Sequence, residues 1–394
     1  MYFIEFVLLV YFGYISCYSF LLSFAGLFYR DKDAAEAAHK RKIAVLIPAY
    51  KEDGVIVGVA TQALNQNYPQ DRFDVVVIAD SLKPATLQQL RALPIITAEV
   101  SFEKSTKVKA LNKAMEMIGD QYDCALVLDA DNVMERDFLR KMNNLFELGF
   151  KAIQGKRDPK NENTSMALLD GLSETINNFI YRQGTVAAGM SASLNGSGMI
   201  FDYAIYKQVM AAMDSIGGFD RELELKLLER SIKVYFAKSV IIYDEKVEST
   251  EVFERQRRRW ISSQFFYLRK YFVKGWLAFF KGHITYFNSA ILRNIQLPRL
   301  LNLGLLSGIT VVAFLLPRHL LNFSPFLWLD LLLLNILAMV FAVPIRFYNL
   351  KLLKSIMLIP GIFIKMFMLL FKLKGANKTF IHTPHGQTPS EQKK

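Results

Sequence analysis

Cys124-Ala125-Leu126-Val127-Leu128-Asp129-Ala130-Asp131 governs the reading of this chain. An apolar run of strand length ends on two carboxylates separated by one residue. A buried strand delivers such residues to a sheet edge, where paired aspartates can hold a divalent cation against a diphosphate. Asp-x-Asp is common at strand ends, so its weight depends on what surrounds it.

The neighbouring sequence repeats the pattern. Residues 43–47 (Ile-Ala-Val-Leu-Ile) read as a strand ended by Pro48, and residues 74–78 as a second strand ending at Asp80. Residues 55–65 and 105–117 carry helical patterns, and residues 125–128 form the strand leading to the aspartates. Strands separated by helices imply an α/β domain, a mostly parallel sheet flanked by helices with ligands at its carboxyl edge. Pro48, Asp80 and Asp129 all fall at that edge. No internal repeat or low-complexity segment stands out.

The 394 residues have room for one large domain plus membrane segments, and they are 52% hydrophobic with a formal charge of +12. That balance suits an anionic membrane surface, an anionic substrate, or both. Nucleic acid is not expected as a partner, because no recognition motif is present and the apolar content is high. Cys17 lies in an apolar helix and Cys124 in a buried strand, so a disulfide between them is not expected.

Residues 6–28 carry no charge and are long enough to span ~30 Å of hydrocarbon. Glu5 precedes them, whereas Arg30, Lys32, Lys40, Arg41 and Lys42 follow. The positive-inside rule then places the N-terminus outside and residue 30 onward in the cytoplasm, behind an uncleaved anchor. Residues 300–316 and 325–343 read as a hairpin crossing out and back, with Arg346, Lys351 and Lys354 returning to the cytoplasm. Residues 352–373, interrupted by Lys354, Pro360-Gly361 and Lys365, read as an interfacial helix rather than a fourth span. Residues 265–280 are a second interfacial candidate.

Further motifs stand in a fixed order around the aspartates. Pro48-Ala49-Tyr50-Lys51-Glu52 follows the first strand, Lys107 opens Lys-Val-Lys-Ala-Leu-Asn, and Asn195-Gly196-Ser197-Gly198 lies downstream. Gln256-Arg257-Arg258-Arg259-Trp260 precedes the carboxyl-terminal apolar segments. With this ordering the chain resembles the membrane-embedded family 2 glycosyltransferases, of the cellulose, chitin and hyaluronan synthase kind, over residues 41–386. The resemblance implies a GT-A fold. It also implies roles: Pro48, Tyr50, Glu52 and Asp80 around the nucleotide base and ribose, and Lys107 beside the diphosphate. Asp129 and Asp131 would orient the donor and bind Mg²⁺ or Mn²⁺, and Gly196 and Ser197 would lie near the acceptor sugar. Gln154, after the strand-like Ala152-Ile153, reads equally as a sugar-pocket or a loop residue. Gln256, Arg259 and Trp260 would line the acceptor end, the indole stacking on a sugar ring and the guanidinium facing phosphate.

The chain departs from the family at the catalytic base. Where the family shows Thr-Glu-Asp before Leu-Glu-Leu, this chain reads Asp220-Arg221-Glu222-Leu223-Glu224-Leu225. Register on Leu-Glu-Leu makes Glu222 the first candidate for deprotonating the acceptor, with Asp220 second. Phe380-Ile-His382-Thr383-Pro-His385-Gly386 has the spacing of the gating loop of cellulose synthases, which implies that Thr383 and His385 contact the bound donor.

The expected division is therefore an anchor over 1–29, a cytoplasmic transferase domain over 30–261 and an interfacial region over 262–299. A transmembrane hairpin over 300–345, an interfacial or fourth membrane helix over 346–374 and a gating tail over 375–394 follow. The expected activity is inverting transfer from a nucleotide-sugar, a UDP-sugar first, to a growing polysaccharide. Three spans are fewer than polymer-threading synthases use, so a homo-oligomer or export partner, a single addition to a lipid-linked acceptor, and a non-catalytic binding subunit remain open alternatives.

Overall fold

The computed structural model describes residues 2–372; the gating-loop candidates Thr383 and His385 lie outside the described residues. The chain forms two compact units. One comprises Asp31–Asn161 with Ser191–Lys246, and the other Met1–Arg30, Glu162–Met190 and Val247–Lys374.

The first unit is built on an eight-stranded sheet: β1 (Ile43–Tyr50), β2 (Phe73–Asp80), β3 (Ile96–Val100), β4 (Cys124–Val127), β5 (Val133–Met134), β6 (Ala152–Pro159), β7 (Met199–Asp202) and β8 (Tyr235–Asp244). Their order is β3-β2-β1-β4-β7-β6-β8-β5. The β3-β2-β1-β4 half is parallel, whereas β7 runs antiparallel to both β4 and β6. β6 and β8 pair in parallel, and β5 is antiparallel to β8. Val and Ile fill the central strands because both faces are covered.

β1 does not stop at Pro48; it continues to Tyr50, pairing with β2 as far as Tyr50↔Asp80. Its other partner, β4, ends at Leu46↔Val127, so a residue lacking an N–H at position 48 removes no ladder bond to that neighbour. β6 likewise runs through Gln154 to Pro159, so Gln154 is a strand residue.

The helix Lys107–Ile118 buries Val108, Ala110, Leu111, Ala114 and Met115. Thr106 caps it, its hydroxyl accepting from the Lys109 N–H at 3.2 Å. That cap fixes Lys107 as the first helical residue. The N-cap position of the helix Pro84–Arg91 is Lys83, without a side-chain cap of its own. Asp53 Oδ1 serves its start, accepting from Lys83 N at 2.8 Å and Thr86 Oγ1 at 2.7 Å.

The second unit is helical. Phe3–Leu27 and Pro325–Ala342 are each long and apolar enough to cross a membrane. Two bent pairs pass the same test only together: Ile284–Ile295 with Arg299–Leu315, bent by 60°, and Leu350–Ile356 with Ile359–Leu370, bent by 43°. The expected span over 300–316 corresponds to the second helix of the first bent pair. Pro298 ends the other arm's continuation, since it restricts Leu297 and cannot donate. Non-helical backbone at such a break needs partners. Tyr11 and Tyr14 of the first helix supply them: the Leu297 N–H donates to Tyr11 Oη at 3.0 Å and Gln296 Nε2 to Tyr14 Oη at 3.0 Å. The Tyr14 hydroxyl in turn donates to the Leu292 carbonyl at 2.5 Å.

Gly184, in the turn of helix Phe179–Gly184, lets the first helix approach closely, because a Cβ there would lie 2.2 Å from the Leu22 carbonyl oxygen. Residues 165–187 and the long helix Thr250–Phe280 complete this unit, and the expected interfacial stretch 265–280 is the carboxyl-terminal half of that helix.

Candidate active site

The sheet unit gathers its chemistry at the carboxyl edge of β2, β1 and β4. Asp80, 2% exposed, ends β2, and Pro48 and Tyr50 lie at the end of β1 beside it. The Lys51 N–H donates to the Asp80 carbonyl at 3.1 Å, and the Ser81 hydroxyl to Asp80 Oδ1 at 2.9 Å. Glu52 is buried at the turn that follows, its carbonyl accepting from Val55 and Ile56 N–H groups that start the next helix. Asp129 and Asp131 follow β4 on the other side of β1, both half-buried.

Two cations flank the Asp129 carboxylate. The Lys107 ammonium forms an ion pair with Asp129 Oδ1, donates to the Gly196 carbonyl at 2.8 Å and sits 4.8 Å from the Phe219 ring centroid. Arg157, on β6, places Nη2 4.0 Å from Asp129 Oδ2 and 2.6 Å from the Asn195 carbonyl, with Nη1 3.5 Å from Asp244 Oδ2. Beneath the loop, Ser197 Oγ accepts from the Asp129 N–H at 2.9 Å and from Asn132 Nδ2 at 2.7 Å. Gln154 Nε2 donates to the Ser197 carbonyl at 2.9 Å while its Oε1 accepts from the Asn195 N–H at 3.0 Å. Ser197 and Gln154 are both fully buried, so they support the loop that carries Asp129. Gly198 allows this packing with φ +61°, and a Cβ there would meet Ile242 at 2.6 Å.

Arg157 and Asp244 are site residues that motif spacing did not reveal. They meet because β6 and β8 pair in parallel, with Asp158↔Tyr243 and Pro159↔Asp244 opposite one another. The only sequence signal was a basic run, Lys156-Arg157, after Gln154. Lys246 Nζ also pairs with Asp244, at 2.8 Å, and Lys160 Nζ donates to the Asp131 carbonyl.

Among the described residues no group of three or more His, Cys, Asp or Glu side chains is placed to hold a metal ion. The donor set nevertheless fits a hard divalent cation of the Mg²⁺ type. Such ions bind through one or two carboxylates and take their remaining oxygens from substrate phosphates and water. Asp129 and Asp131 are the carboxylates that would hold it.

The helix Phe219–Glu229 brings the candidate bases to this edge, since Phe219 packs under the Lys107 ammonium. Glu222 is 3% exposed and accepts from the Ser215 hydroxyl at 2.6 Å. Glu224 is 1% exposed and accepts from the Leu194 N–H at 3.1 Å. Asp220, in the same first turn, is only half-buried. Of the two candidate bases in this turn, Asp220 is the more exposed and Glu222 is buried.

Gln256, Arg259 and Trp260 lie in the helical unit, on the second and third turns of Thr250–Phe280, and all three are half-buried. Arg257 organises this stretch. Its guanidinium lies 4.4 Å from the Trp260 ring centroid and 4.7 Å from that of Phe253, and Nη2 reaches Asp170 Oδ1 at 2.5 Å. One face of the indole is thus already stacked.

Over 234 residues the chain is 25% identical to a beta-monoglucosyldiacylglycerol synthase of Synechocystis, covering 56% of this chain and 47% of that protein. Over 274 residues it is 22% identical to the probable glycosyltransferase YdaM of Bacillus subtilis, covering 64% and 65% respectively. The chain thus spans about half to two thirds of the length of these curated relatives. Among solved structures, the mannosyltransferase PcManGT from Pyrobaculum calidifontis, in complex with GDP-Man and Mn²⁺, superposes with a TM-score of 0.53 at 14% identity. That match covers 85% of this chain and 96% of the other, and it establishes a shared GT-A fold. Residues 39–263, more than half of the chain, match the family described as glycosyltransferase like family 2, and the chain belongs to that family.

Proposed function

We propose that this protein is a membrane-anchored, inverting glycosyltransferase. It moves a sugar from a nucleoside-diphosphate sugar, with UDP-sugars the first class to test, to an acceptor carried at the membrane. The observation that carries the reading is the Lys107–Asp129 pair at the carboxyl edge of the sheet, with Asp131 two residues on and Asp80 across β1. Carboxylates and an ammonium at one edge suit a diphosphate and its counter-ion, and a buried carboxylate at the neighbouring strand end suits a base N–H or ribose hydroxyls.

In this reading Asp220 accepts the proton of the acceptor hydroxyl while that oxygen bonds to the anomeric carbon. The carbon–phosphate-oxygen bond breaks on the opposite face, the nucleoside diphosphate departs, and the anomeric centre inverts. Lys107 and Arg157 stabilise negative charge developing on the leaving group. A divalent cation held by Asp129 and Asp131 would supply Lewis-acid stabilisation of the same diphosphate.

A lipid acceptor is favoured by the apolar helices and by relatives named for glucosyldiacylglycerol synthesis. Addition to a growing polysaccharide is the second reading, favoured by Gln256, Arg259 and Trp260 in the order that polymer-forming relatives imply. Basic residues after the first helix favour a cytoplasmic site, with the chain integral to the cell membrane. A homo-oligomer or export partner belongs with the second reading.

The test is nucleoside diphosphate release by the purified, detergent-solubilised chain. UDP- and GDP-sugars are supplied with Mg²⁺ or Mn²⁺, and either diacylglycerol or an oligosaccharide as acceptor. Turnover with one donor, abolished in Asp131→Asn, is the expected result. Binding of nucleotide without turnover on any donor–acceptor pair would replace the enzyme with a binding subunit.

A further inference from the structure

The Asp129 carboxylate meets two cations before any ligand arrives. Lys107 pairs with Oδ1, and Arg157 stands 4.0 Å from Oδ2. Both cations are anchored by other acceptors as well, Lys107 by the Gly196 carbonyl and Arg157 by the Asn195 carbonyl and Asp244. Their side chains are 20% and 12% exposed, so solvent screens these charges less than it would on an open surface. A divalent cation approaching Asp129 alone would meet a carboxylate already neutralised and two positive charges beside it.

We infer that Lys107, aided by Arg157, acts as an internal counter-ion that keeps a divalent metal off Asp129 until a nucleoside diphosphate is present. This rests on the reading of the edge as a nucleotide-sugar site. A diphosphate offers both cations new partners and supplies the metal with phosphate oxygens. Its arrival exchanges Lys107 from carboxylate to phosphate and frees Asp129 for the metal. Lys107 is then a positioning residue whose role is the order in which ligands assemble. The shortage of protein ligands among the described residues fits such an exchange, since a site with two carboxylates needs the diphosphate to complete the coordination.

The experiment is Mn²⁺ binding followed by electron paramagnetic resonance on the full-length protein in detergent, with and without UDP or GDP. Expected for the unaltered chain is weak Mn²⁺ binding that nucleoside diphosphate tightens by more than about tenfold. Lys107→Gln, which keeps a donor for the Gly196 carbonyl but removes the charge, should tighten Mn²⁺ binding without nucleotide by about tenfold, the scale of one unit charge removed at contact distance. Lys107→Arg should restore the weak binding, and Arg157→Gln should move affinity in the same direction as Lys107→Gln. If Lys107→Gln binds Mn²⁺ alone as weakly as the unaltered chain, while nucleotide still tightens binding in both, the counter-ion role is wrong and the nucleotide site stands. If equilibrium dialysis finds no nucleotide bound to the unaltered chain with any metal, the nucleotide reading falls and the exchange falls with it.

Discussion

The Ser197 hydroxyl takes the backbone N–H of Asp129 at 2.9 Å, from a position with no solvent exposure. The same oxygen takes Asn132 Nδ2, so one buried hydroxyl satisfies both ends of the turn that follows β4. Ser197→Ala leaves the buried Asn132 amide and the Asp129 N–H without this acceptor, at a cost of about 1–3 kcal/mol for the buried donor before any relaxation. A fall in melting temperature together with a loss of turnover is expected. Unchanged melting and full turnover would mean that the turn holds Asp129 without this contact.

Asp220 and Glu222 separate by assay. Asp220→Asn should lower kcat by about 10²–10⁴, the range for a lost general base, with donor affinity nearly unchanged. Glu222→Gln should retain turnover and lose stability, because its carboxylate is buried against Ser215 at 2.6 Å. The reverse pattern would return the base to Glu222.

Close backbone approach makes Gly184 intolerant of a side chain. A Cβ at that position would come within 2.2 Å of the Leu22 carbonyl oxygen, so Gly184→Ala must push two helices apart. A loss of more than ~2 kcal/mol is expected, at the upper end of overpacking costs, and would be read as a lower yield of folded protein in detergent. Gly58→Ala is the control: nothing lies within 4 Å of its Cβ. It should stabilise the helix Ile56–Ala63 by about 0.5–1 kcal/mol.

Burial pushes the Cys124 thiol well above its ordinary pKa, and the residue is only 1% exposed. The thiolate is therefore scarce at pH 8 and out of reach. In a Cys17→Ser background, maleimide should label the chain only after denaturation. Rapid labelling of the native protein at pH 8 would show that β4 opens readily.

The strands β1, β2 and β4 were legible because each is a short apolar run ended by a polar edge residue, and Asp80 and Asp129 mark those ends. Pro48 misled, since a strand edge without a second partner tolerates a proline that a central position would not. Arg157 and Asp244 were invisible because their meeting depends on β6 pairing with β8 across some eighty residues of chain. Ser197 was legible as part of a motif but not as a support, because burial belongs to the packed state. Arg257 carries no signal of its own within Gln256–Trp260, although it holds both Asp170 and the Trp260 ring.

The hydroxyls of Tyr11 and Tyr14 bear on how the amino-terminal helix can be treated in practice. Because they serve the Leu297 N–H and the Gln296 amide at the broken helix, this segment is not an interchangeable tether. A chimera carrying an unrelated hydrophobic anchor would leave those groups without these partners, at about 1–3 kcal/mol each where they are buried. Grafting the rest of the chain onto a foreign anchor should fail unless both tyrosines travel with it.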